Sequence, residues 1–184
     1  MANLKDAPKF AVNDDYYTPK YAWEWIQHLC PKDKIVWEAC LLNSHQSKSK
    51  QHLEELGFNV IGDTSWDYFE MKDKVEYDYI ITNIPFETKL KQKMLTAMVA
   101  EDKPFITIMN SMNIYSNYFH EIFKGNEEHI QIVYPRGKIH FNKLLQDGTT
   151  EYKPNTSFYC VYVAYKMNIP AKNLMLQNWK GLKE

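Results

Sequence analysis

Four consecutive residues, Asn83-Ile84-Pro85-Phe86, put an amide, a peptide carbonyl, a rigid backbone joint and an aromatic face directly after an apolar run. The exocyclic amine of a nucleobase is a poor nucleophile because its lone pair is delocalised into the ring. Held between two acceptors, a side-chain amide oxygen and a main-chain carbonyl, the nitrogen becomes tetrahedral and can attack an electrophilic methyl. A ring stacked on the flipped base keeps it in place. Asn83 offers the amide oxygen, Ile84 the carbonyl and Phe86 the stacking face, while Pro85 locks its own backbone dihedral and removes a donor. The same residues also suit a plain strand-to-helix turn, with Asn83 capping the next helix and Phe86 in the core. A motif this short does not decide between the two.

The elements that must position this tip read as follows. Tyr79-Ile80-Ile81 lacks polar alternation, as expected of a strand covered on both faces of a parallel sheet, and ligands of such sheets sit at the carboxyl ends of the strands. Thr18 is a candidate N-cap with Pro19 at the first helical position, opening a helix to Leu29 that Pro31 ends. Lys34 to Cys40 reads as the first strand, 47–56 as a helix closed by Gly57, and Phe58 to Ile61 as the second strand. Lys89 to Ala100 is amphipathic. Phe105 to Met109 is a strand, Asn117 to Phe123 a helix and Ile130 to Tyr134 a strand. The last strand, 157–165, follows without a helix and is expected to pair antiparallel. Alternating strands and helices predict an α/β fold: a mostly parallel twisted sheet with an antiparallel C-terminal strand and helices on both faces. The 184 residues read as one domain, with 1–13 a flexible lead-in.

Composition excludes several classes. The chain is 45% hydrophobic and 15% aromatic, which fits a folded protein. A net charge of -1 argues against an indiscriminate nucleic-acid or membrane binder, a local basic patch excepted. Cys30, Cys40 and Cys160 form neither a zinc spacing nor a disulfide framework, so no metal is expected and a reducing, intracellular compartment is. No apolar run reaches membrane-spanning length.

From Asp14 to Lys166 the chain resembles the S-adenosylmethionine-dependent DNA N-6-adenine methyltransferases, in particular their small phage and viral members. That family's tetrapeptide is Asn/Asp-Pro-Pro-Tyr/Phe after an apolar strand, and Asp78-Tyr79-Ile80-Ile81-Thr82-Asn83-Ile84-Pro85-Phe86 matches it except at Ile84. The resemblance implies a Rossmann-like methyltransferase fold, S-adenosylmethionine as cofactor, and DNA with a flipped adenine as substrate. It implies that Tyr17-Thr18-Pro19 borders the methionine end of the cofactor, and that Glu38-Ala39-Cys40 stands at its loop. Asp63 would take the ribose hydroxyls, and Asp67-Tyr68-Phe69 would flank its adenine. Pro135 to Phe141 and 154–158 resemble two further family segments, and Arg136 and Lys138 are candidate phosphate contacts.

Two departures stand out. Ile84 replaces a proline, and the loop from Leu41 to Lys50 has no glycine where close cofactor approach favours one. These keep two alternatives open: a degenerate methyltransferase-fold binding or scaffold protein, and a methyltransferase acting on RNA or protein. Little chain remains for a separate recognition domain. Target readout is therefore expected from short loops near 110–116 and 137–150, or from a second subunit.

Overall fold

Strands that stay apolar on both faces must be roofed on both faces, and the helices of this chain divide accordingly. The computed structural model describes residues 16–41, 48–144, 150–152 and 158–170. Its strands are Tyr16–Tyr17 (β1), Ile35–Trp37 (β2), Asn59–Ile61 (β3), Tyr79–Asn83 (β4), Phe105–Asn110 (β5), Ile130–Val133 (β6), Asn142–Leu144 (β7), Thr150–Tyr152 (β8) and Cys160–Tyr165 (β9). Its α-helices are Lys20–Glu24 (α1), Lys48–Glu55 (α2), Tyr68–Met71 (α3), Thr88–Ala100 (α4) and Asn117–Phe123 (α5).

Six strands form the main sheet in the order β3-β2-β4-β5-β9-β6. β3, β2, β4 and β5 run parallel, while β9 lies antiparallel to both β5 and β6. The expected α/β fold, mostly parallel with an antiparallel C-terminal strand, is therefore observed. Successive side chains of β4 and β9 enter opposite cores. Tyr79, Ile81, Tyr162 and Ala164 meet Trp23 of α1 and Leu53 of α2 on one face. Ile80, Val161, Val163 and Tyr165 meet Tyr68 of α3, Leu95 of α4 and Phe119 of α5 on the other. Buried phenols need acceptors. Tyr79 donates to Pro31 O at 2.6 Å, Tyr162 to Ala22 O at 2.5 Å, and Tyr68 and Tyr77 both to the Glu101 carboxylate at the end of α4.

Three details differ from the sequence expectation. The first helix is short: α1 stops at Glu24 and a separate 3-10 turn covers Gln27–Leu29. Pro31 ends the 3-10 turn, since it disfavours helix at the residue before it, and Cys30 is extended (φ -116°, ψ 128°). Pro19 occupies the N-cap itself with no side-chain cap bond, so Thr18 is not the cap; it is buried instead. A second, three-stranded antiparallel sheet, β1-β7-β8, joins residues before α1 to those after β6. Strands of two or three residues are too short to announce themselves by periodicity. Gly57 (φ +86°) closes α2 as expected, in the left-handed conformation that glycine adopts most readily.

Candidate active site at the carboxyl end of the sheet

β4 delivers Asn83 to the carboxyl edge of the sheet, in register with Ile108 of β5. The Asn83 Oδ1 atom is buried and accepts no hydrogen bond from the described residues. Orphaned buried acceptors are rare and costly, on the order of 1–3 kcal/mol, and tend to persist where a ligand supplies the missing donor. Asn83 does not cap the following helix. Glu87 does, accepting from Lys89 N at 3.0 Å and Leu90 N at 2.5 Å.

Ile84 explains how the tip manages without a second proline. Its side chain is 1% exposed and belongs to the α3–α5 core, and its N–H donates to Thr107 Oγ1 at 3.2 Å. Proline has no N–H to donate, so here burial and a cross-strand bond hold the backbone instead of a ring. Next to it, Phe86 is half-buried with its ring against Phe158 (5.1 Å between centroids) and Phe141 (5.6 Å, edge-on). The buried Lys91 ammonium donates to the Phe86 carbonyl at 3.2 Å. Phe86 thus packs on the core while bordering the tip.

Glu38 lies one residue beyond β2 and is 2% exposed. Its Oε1 accepts from the Cys40 amide at 3.2 Å and from the Thr82 hydroxyl, and its Oε2 from Ser49 Oγ at 2.5 Å. Ser49 Oγ in turn receives the Trp23 indole N–H at 3.1 Å. Burial pushes the carboxyl up to about 7, opposed by the bonds from Ser49, Thr82 and Cys40. Glu38 is thereby tied to the residue before Asn83, but its oxygens face inward and are engaged. Sequence reasoning missed Thr82, Thr107, Ser49 and Lys91. The threonines were detectable as polar residues inside otherwise apolar strands.

The neighbouring strand end is tightly closed. Gly62 follows β3 with φ +144°, and a Cβ there would meet Glu38 O at 2.6 Å and Leu41 Cδ1 at 3.2 Å. The close approach that requires glycine is therefore between two backbones of this chain, with the buried Leu41 side chain alongside. Asp63 is exposed. Its Oδ1 takes both the Ser65 amide (2.8 Å) and hydroxyl (2.6 Å), bonds that hold its carboxyl below the usual range. Both bonds fall on one oxygen of this exposed side chain. Asp67 caps α3 through Phe69 N (2.8 Å), Tyr68 stacks on Trp37, and the Lys93 ammonium stands 4.0 Å over the Phe69 ring. Tyr17 and Thr18 are buried behind Pro19, and Ala39 is buried beside half-buried Cys40.

A cofactor with a ribose diol and an amino-acid end needs acceptors and backbone groups at this edge. Exposed Asp63 offers such an acceptor, Tyr17 and Thr18 are buried, and Glu38 is committed to internal partners. Loop residues 42–47 and the 154–157 part of the family-like segment lie outside the described residues. Arg136 and Lys138 separate: Arg136 lines an open cleft of about 480 Å³ with Glu24, Gln27, His28 and Lys32, while Lys138 lies 5.0 Å over the Tyr159 ring. Among the described residues no group of three or more His, Cys, Asp or Glu could hold a metal, and no helix is long and apolar enough to cross a membrane.

No family model and no curated protein matches the chain. Among solved structures, it is similar to a precorrin 8w decarboxylase of Methanobacterium thermoautotrophicum, at 10% identity and a TM-score of 0.44 over 79% of this chain and 86% of that one. It is also similar to a SAM-dependent O-methyltransferase of Thermotoga maritima, at 10% identity and a TM-score of 0.39 over 79% of this chain and 64% of that one.

Proposed function

We propose that the chain transfers a methyl group from S-adenosylmethionine to the exocyclic amine of adenine in DNA. The observation that carries this reading is the buried, partnerless Asn83 Oδ1 at the carboxyl end of β4. An amine donor completes it, and an acceptor aimed at an amine nitrogen is what raises that nitrogen's nucleophilicity. The Ile84 carbonyl is the second acceptor, its position held by the bond to Thr107. Phe86 offers a ring edge for the base, itself held by Phe141 and Phe158. Asp63 and the Tyr17-Thr18-Pro19 turn hold the cofactor, which supplies an electrophilic methyl when bound.

The test is incorporation of labelled methyl into unmethylated DNA by the parent chain and by Asn83→Ala, with RNA and protein as rival acceptors. Transfer by Asn83→Ala at the parent rate would remove the assignment. Preference for RNA or protein would move the activity to that substrate.

A second reading has its own support. Glu38 is fully engaged and Leu41 lies against Gly62, as suits a methyltransferase-fold binding protein that has closed its cofactor site. Calorimetric titration with S-adenosylmethionine separates the two. Micromolar binding eliminates the second reading, and absence of heat eliminates the first.

A further inference from the structure

Among the described residues, the exposed large hydrophobics are Met112, Tyr115, Tyr134 and Tyr159, at 69%, 73%, 49% and 65% exposure. All four follow or precede strand ends on the same edge of the sheet as Asn83. Met112 and Tyr115 lie in the 3-10 turn after β5, Tyr134 follows β6, and Tyr159 precedes the antiparallel β9. The segments are joined to one another and to the tip. Ser111 N donates to Tyr159 O at 2.8 Å, Lys138 covers the Tyr159 ring, and the adjacent Phe158 packs on Phe86.

Large exposed apolar side chains clustered on one edge mark an interaction surface. Two further observations say what covers it. The first is charge. The chain has 23 acidic residues, yet segments 110–116, 134–141 and 158–160 contain none, and Lys138 stands over the Tyr159 ring. Three neighbouring segments with exposed aromatic rings, a lysine and no carboxylate of their own are complementary to a polyanion bearing flat rings. The second is rigidity. The turn that presents Met112 and Tyr115 is tied down by Asn110 Oδ1 accepting from Met112 N (3.0 Å), Asn113 Nδ2 donating to Asn110 O (2.8 Å) and Ser116 Oγ donating to Asn113 O (2.6 Å). Tyr118 adds a bond to Asn113 Oδ1 at 2.6 Å. Exposed rings on a pre-ordered turn lose little entropy when a base stacks on them.

We infer that this edge is a stacking platform for single-stranded DNA, placing unpaired bases on Tyr115 and Tyr159 and phosphate beside Lys138. A duplex keeps its base faces stacked inside, so the platform favours strands that are already open. The inference rests on the proposed adenine methylation for its choice of DNA, and it adds that the target is presented unpaired.

The test is fluorescence anisotropy with one labelled oligonucleotide as a single strand, as a duplex and as the RNA equivalent, across a salt series. The single DNA strand is expected to bind most tightly. The double variant Tyr115→Ala/Tyr159→Ala, both changes at exposed positions, should weaken single-strand binding by about tenfold or more with an unchanged thermal melt. Lys138→Ala should reduce the salt slope by about one. Duplex or RNA binding as tight as that of the single DNA strand, or an unaffected double variant, would overturn the inference. Binding and methyl transfer report separately. Single-strand binding without methylation upholds the platform and removes the proposed reaction, whereas methylation of duplex DNA with no single-strand preference does the reverse.

Discussion

The ends of β4 and β2 lie side by side in one sheet and handle their polar groups in opposite ways. At β4, Asn83 Oδ1 is buried with no donor among the described residues. At β2, Glu38 is buried with three. One site is left incomplete at a cost to folding, and the other is completed by the fold itself. Polar groups that stabilise are expected to be satisfied, and those that await a ligand are not. The tip thus has the features of a functional site, and the Glu38 cluster those of a structural brace holding β2, β4 and α2 together.

The largest expected effect is on activity. Asn83→Ala should lower methyl transfer by about a hundredfold or more, comparable to removing one fixed charge-stabilising group elsewhere in catalysis. Initial rates with labelled cofactor measure it. A loss under threefold would erase the contrast between the two strand ends.

Next come the brace and its neighbour. Glu38→Ala removes the acceptor for three donors and should cost about 3 kcal/mol or more in urea-induced unfolding. Gly62→Ala should cost a comparable amount, because its Cβ would stand 2.6 Å from Glu38 O in a strained backbone conformation. If Glu38→Ala were as stable as the parent, the brace reading would be wrong and a ligand role for Glu38 would return.

The pH dependence sharpens the same point. Glu38 has its carboxyl near 4.5 when unfolded and near 7 when folded. The folded chain therefore holds an extra proton between those values. Stability from this group is full below about pH 4.5 and falls as pH rises to 7, by up to about 3 kcal/mol. Glu38→Gln keeps an acceptor, stays neutral, and should flatten that part of the stability profile. An unchanged profile would assign the proton elsewhere.

The smallest effect is the most discriminating. Asn83→Ala breaks no hydrogen bond at Oδ1, so its thermal stability should match the parent's within about 0.5 kcal/mol or exceed it. Clear destabilisation would mean that the amide has a structural partner after all.

The sheet was legible in the sequence because its signals are local. The start of β4 and both ends of α5 fall at the expected residues, since an unbroken apolar run and a regular helical stripe carry their own boundaries. The antiparallel C-terminal strand followed from the missing helix before it. The brace was not legible, because two of the three donors to Glu38 sit 11 and 44 residues away and only the fold unites them. Nor was the split between Arg136 and Lys138, two residues apart on one loop but facing different surroundings. The four residues at the end of β4 stood out as a motif; the bond from the Ile84 amide to Thr107, which only the fold brings together, did not.

The three-ring contact at Phe86 has a consequence for how variants of that residue behave. Phe158 and Phe141 come from segments on either side of the small sheet, so the Phe86 ring joins three separate stretches of chain as well as bordering the proposed base position. Phe86→Ala would loosen that junction and remove the stacking face in one stroke, and a lost rate would have two origins. Phe86→Leu separates them: it preserves much of the apolar volume while withdrawing the aromatic face. A rate deficit in that variant, at an unchanged melting temperature, belongs to the base.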